Sequence, residues 1–75
     1  MLTSDEVKEI VERVAKKYPQ AQLAFYPQTN THFAYIYQEY KDFDNTFIVN
    51  FNKSKEEFER LLDNDMAEMC GELNE

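Results

Sequence analysis

Residues 21–51 read AQLAFYPQTNTHFAYIYQEYKDFDNTFIVNF, and the period of this stretch decides the fold. Apolar and polar positions alternate, and the apolar ones are mostly aromatic or β-branched, as pleated strands prefer. Pro27 closes a first strand over 21–26. Gln28, Thr29, Asn30 and Thr31 are turn formers. The runs at 32–39 and 46–51 predict two more strands, joined through Lys41, Asp42, Phe43, Asp44 and Asn45 as an antiparallel hairpin. Leu23, Phe25, Phe47, Val49 and Phe51 form the inward apolar set. In the middle strand Ala34 and Ile36 alternate with Phe33, Tyr35 and Tyr37. A small Ala34 lets a helix approach, and tyrosine hydroxyls seek water. Tyr35 and Tyr37 are therefore assigned to the open face, beside Tyr26 and Ile48; a slip of one residue would invert the assignment.

On both sides of this stretch the period changes to that of a helix. Thr3 with Glu6 has the spacing of a capping box, and Leu2 with Val7 that of a hydrophobic staple. Val7, Ile10, Val11, Val14, Ala15 and Tyr18 make one apolar stripe. Glu9–Arg13 and Glu12–Lys16 are favourable i,i+4 pairs, and Lys16 and Lys17 suit the negative end of the helix dipole. Pro19 stops the helix. After the strands, Ser54 with Glu57 predicts a second capping box. Phe58, Leu61, Leu62, Met66, Met69 and Leu73 continue one apolar face. Asp63-Asn64-Asp65 weakens helix propensity, but the apolar phase runs through it, so one helix is expected, with Gly71 near its end. The expected fold class is α+β: a two-layer α-β-β-β-α domain, a three-stranded antiparallel meander with both helices on one face, spanning residues 1–75 as a single domain.

The chain has 75 residues, too few for more than one small domain, and six Phe and five Tyr supply the bulk that a small core needs. Its formal charge is −7. That opposes direct nucleic-acid binding, which needs a basic footprint to displace counterions. One Cys excludes an internal disulfide. No apolar run reaches the roughly 18 residues of a membrane span, and the acidic N-terminus is unlike a signal peptide. A cytoplasmic protein without membrane attachment is expected.

The excess charge is concentrated. The first helix and residues 53–60 are balanced. Glu39, Asp42 and Asp44 stand against Lys41 alone, and Asp63, Asp65, Glu68, Glu72 and Glu75 stand against no base. Acids near a helix C-terminus have the wrong sign for the dipole. They serve either as an electrostatic surface for a basic partner or as a solvated, solubilising tail.

Catalytic constellations are weak. His32 and Cys70 are single residues, too few soft ligands for zinc. Asp42-Phe43-Asp44 and Asp63-Asn64-Asp65 open like calcium loops but lack the Gly and Glu that complete one. Carboxylates near Cys70 would suppress its thiolate. Ser4 and Ser54 belong to helix starts, and the one Gly forms no phosphate cradle. Neither an enzyme nor a cofactor or metal is expected.

The acidic helical segments Glu56-Glu57-Phe58, Asn64-Asp65-Met66 and Glu72-Leu73-Asn74, with the length, acidity and element order of the chain, resemble the small acidic anti-CRISPR inhibitors of phages and prophages. That resemblance implies that acidic side chains mimic DNA phosphates and occupy the basic DNA-reading groove of a CRISPR effector. Asp63, Asp65, Glu68 and Glu72 would be the mimic, supported by Glu39, Asp42 and Asp44. The tyrosine-rich sheet departs from this pattern and adds a hydrophobic anchor at Tyr35 and Tyr37. The expected function is a non-enzymatic protein-binding module, phage or mobile-element encoded, that inhibits a basic nucleic-acid-handling protein in the host cytoplasm. The alternative is a structural module that homodimerises through its aromatic sheet face.

Overall fold

The computed structural model describes residues 1–27 and 33–71. The predicted turn at Gln28–Thr31, His32, and the acids and apolar position at Glu72, Leu73 and Glu75 lie outside the described residues. The element order is α1 (Ser4–Lys17), β1 (Gln22–Tyr26), β2 (Tyr35–Tyr40), β3 (Phe43–Ile48) and α2 (Lys55–Met69). The sheet is an antiparallel meander in the order β1-β2-β3. The α+β class and the α-β-β-β-α order are those expected.

α1 begins as its sequence dictates. Thr3 Oγ1 accepts from the Glu6 backbone N–H at 3.2 Å, and Glu6 Oε1 accepts from the Thr3 N–H at 2.9 Å. Leu2 and Val7 are both buried, as a staple requires. At α2, Ser54 Oγ accepts from the Glu57 N–H at 3.2 Å, but the reciprocal arm is not made. The Glu57 carboxylate lies instead near Lys53 and Arg60. α2 runs unbroken through Asp63-Asn64-Asp65 because Leu62 and Met66 on either side are fully buried. It ends before Gly71, whose φ of +77° is the left-handed conformation that glycine adopts without a Cβ clash.

Two strands lie at other positions than the alternation alone predicts. β2 starts at Tyr35 and runs to Tyr40, and β3 starts at Phe43, three residues before the predicted start. The connection is not a five-residue loop but a two-residue turn, Lys41-Asp42, with Tyr40 paired to Phe43. Lys41 takes the positive φ of 56° that so tight a reversal requires. Asp44 and Asn45 read as loop residues. They are tolerated in β3 because it is an edge strand with one backbone side open to water. Val49 still reaches the ladder with a single bond, its N–H donating to the Ala34 carbonyl at 3.1 Å.

The core lies between the sheet and both helices. Val7, Ile10 and Val14 from α1 meet Phe58, Leu62 and Met66 from α2, with Ala34 and Ile36 beneath them. The middle-strand facing is as expected. The register places Phe25, Ile36 and Phe47 in one row on the helix side, and Tyr26, Tyr35 and Ile48 in one row on the open side. Gln38 extends the inward stripe of Ile36 by parity and is fully buried. Its amide is satisfied: Nε2 donates to Asp65 Oδ2 at 2.7 Å and approaches Met66 Sδ at 3.2 Å, while Oε1 accepts from Asn45 Nδ2 at 3.0 Å.

Candidate functional site

The acids of α2 do not share a face. At 3.6 residues per turn, Asp63 and Asp65 point about 200° apart, whereas Asp65 and Glu68 are neighbours at i,i+3. Asp63 turns toward α1. It lies 2.6 Å from Lys17 Nζ, and its Oδ1 accepts from the Tyr18 hydroxyl at 2.7 Å. Burial alone would raise its carboxyl; the bonds from Lys17 and Tyr18 outweigh that and hold it below 3.8, the ordinary value. One turn back, Arg13 grips Glu59 with two bonds, Nε to Oε2 at 2.9 Å and Nη2 to Oε1 at 2.7 Å. These bonds lower the Glu59 carboxyl and raise the Arg13 guanidinium. Lys55 approaches Glu6 at 3.7 Å, and the Thr3 backbone bond keeps the Glu6 carboxyl low. These pairs join α1 and α2 side by side, running in the same direction.

The other acids gather elsewhere. Gln38 ties Asp65 to the end of the β2–β3 hairpin, and Phe43, Asn45, Asp65, Glu68 and Met69 line a shallow hollow there. Glu39 and Asp44 are cross-strand partners on the open face, and Asp42 sits in the adjoining turn. The fold therefore brings Glu39, Asp42, Asp44, Asp65 and Glu68 to one end of the molecule and leaves Asp63 out. None of these five is ion-paired among the described residues. Lys41, the base in the hairpin turn, lies over the Tyr40 ring at 5.1 Å. Glu72 lies outside the described residues.

The open sheet face is graded along the strands. Its first row is Tyr26, Tyr35 and Ile48, its second Ala24, Tyr37 and Thr46, and its third Gln22, Glu39 and Asp44. Tyr26 stacks on Tyr35 with ring centroids 5.0 Å apart, and Phe33 meets Tyr35 edge-on at 6.1 Å. Tyr26, Phe33 and Ile48 are each about half exposed (48%, 45% and 51%), a large apolar area for so small a protein. The Tyr37 hydroxyl reaches Asp44 Oδ2 at 3.4 Å. Desolvation, then the charges of Glu39 and Asp44, push its phenol above 10, the ordinary value.

Sequence reasoning placed Tyr35 and Tyr37 correctly and set Phe33 in the same alternation without naming it as part of this face, and it missed Gln38 as the link between hairpin and helix. Parity carried both signals. Phe33 is two residues before Tyr35, and Gln38 two after Ile36. Among the described residues no cluster of three or more His, Cys, Asp or Glu has the geometry to hold a metal ion. No described helix is long and apolar enough to cross a membrane. The chain matches no protein-family model, no curated protein and no solved structure.

Proposed function

We propose that this protein is a non-catalytic binding module that docks its acidic end on the basic surface of a nucleic-acid-handling protein and blocks it. The observation that carries this reading is that Glu39, Asp42 and Asp44 on the hairpin and Asp65 and Glu68 on α2 lie at one end of the molecule, on the two sides of the sheet, five carboxylates without an ion-pair partner among the described residues. Two structural features argue that their placement is not driven by stability. Glu39 stands directly across the ladder from Asp44, where like charges repel. Glu68 sits in the last turn of α2, where a base would stabilise. An acidic surface of this kind steers encounter with a basic groove and competes there with phosphates. In its most specific form the protein is a phage or mobile-element inhibitor of a CRISPR effector, acting in the host cytoplasm.

Duplex-DNA binding by a guide-loaded CRISPR effector, measured with and without the protein, tests the specific form. Competition is expected for the wild type and at least tenfold weaker competition for E39K/D44K/E68K. No competition by the wild type removes the CRISPR form. The wider reading is tested by capture from bacterial lysate on both chains at low and high salt. It requires a nucleic-acid-binding protein held by the wild type, lost on the triple variant and eluted by salt. Equal capture by the two chains overturns it.

A further inference from the structure

The graded open face of the sheet has dimensions that select its occupant. Its strands are five or six residues long. At about 3.3 Å per residue and about 4.8 Å between strands, the face covers roughly 200–300 Å². A stable protein–protein interface buries about 800 Å² of accessible surface on each partner, so a second globular surface, including a second copy of this chain, needs contacts beyond this face. Charge also opposes a second copy. A twofold axis along the strands would set Glu39 and Asp44 against their own images. One across the strands would press those carboxylates onto the Tyr26, Tyr35 and Ile48 row of the other copy, where nothing neutralises them. The area instead matches one short segment of chain.

From this geometry we infer that the open face binds a short cationic segment of a partner protein, with an apolar or aromatic anchor on the Tyr26, Tyr35 and Ile48 row and a Lys or Arg on Glu39 and Asp44. The two rows are four residues apart along β2, about 13 Å. In an extended segment that spacing puts the cation four positions from the anchor. Tyr37, between the rows, offers its ring to the stem of the basic side chain. The inference rests on the acidic-end reading above and names the chemistry of the partner for one part of it.

Selection of a random twelve-residue peptide display library on the immobilised protein tests this. The expected consensus joins an aromatic or large aliphatic residue to Lys or Arg four positions away. A selected peptide, resynthesised, should bind E39K/D44K and Tyr26→Ser/Tyr35→Ser at least tenfold more weakly, and E12K/E56K, two exposed acids on the helices, as well as it binds the wild type; D65K/E68K is measured beside them. Circular dichroism confirms that each variant is folded, and E39Q/D44N, which removes the like-charge pair across the ladder, serves as the face variant if either of the other two unfolds. No enrichment, or a consensus without a cation, overturns the inference. Binding lost only in D65K/E68K also overturns it while leaving the acidic-end reading intact. A wild type that dimerises by light scattering and becomes monomeric as Tyr26→Ser/Tyr35→Ser assigns the face to a second copy instead.

Discussion

Gln38 and Lys41 are the two residues whose behaviour depends most on where the fold puts them. Gln38 is fully buried, and its amide bonds to Asp65 and Asn45. Gln38→Glu replaces a donor by a carboxylate facing the Asp65 carboxylate. At neutral pH this should cost about 3 kcal/mol or more, because a buried charge is left uncompensated. Burial and Asp65 both raise the new carboxyl above its unfolded value, so the folded state binds the proton more tightly. The deficit should therefore shrink as pH falls from about 7 to 5. Urea unfolding at the two values checks this, and a deficit of constant size refutes it. Lys41 holds a left-handed backbone, φ 56°, in the two-residue turn. A side chain there costs about 1–2 kcal/mol, against about 0.5–1 kcal/mol of extra chain entropy lost by glycine. Lys41→Gly should stabilise by about 0.5 kcal/mol, after losing the contact over Tyr40, and a lower urea midpoint would contradict the turn geometry.

At the scale of elements, α1 and α2 are joined by charge as well as by their apolar stripes. Asp63 and Glu59 have carboxyls held below their ordinary values of 3.8 and 4.5. In the unfolded chain they titrate near those ordinary values. Their contribution to stability is thus fully present above them and is lost as pH falls through the lower folded values. Urea midpoints should hold between about pH 7 and 5 and decline below about pH 4. Asp63→Asn should make that decline shallower; an equally steep decline in the variant would show that other groups drive acid unfolding. The sequence predicted these helices well because caps, stripes and stops are local. It misplaced β2 and β3 because alternation fixes which residues share a face, not where a reversal falls. Only the pairing of Tyr40 with Phe43 locates the turn.

For the whole molecule, 15 acids against 8 bases make self-repulsion a general term. Salt screens it, and also screens the exposed helix–helix pairs. The repulsive excess is larger, so the urea midpoint at neutral pH should rise between low salt and about 0.3 M sodium chloride, most of all for the wild type and less for E39K/D44K. A falling midpoint would mean that the ion pairs outweigh the repulsion. Composition, period and capping determined by themselves that this chain is a small α+β domain, that Tyr35 and Tyr37 face away from the helices, and that the excess of acids over bases is confined to two segments. They could do so because each of these is a property of residues close in sequence. Which acids lie at one end of the molecule was decided only by tertiary structure. A helix turns by about 100° per residue, so Asp63 leaves its sequence neighbours to pair with Lys17 and Tyr18. Packing of α2 on the hairpin carries Asp65 to Gln38 and sets Asp65 and Glu68 beside Phe43 and Asn45, at the end of the sheet whose other face holds Glu39 and Asp44, which no spacing along the chain encodes.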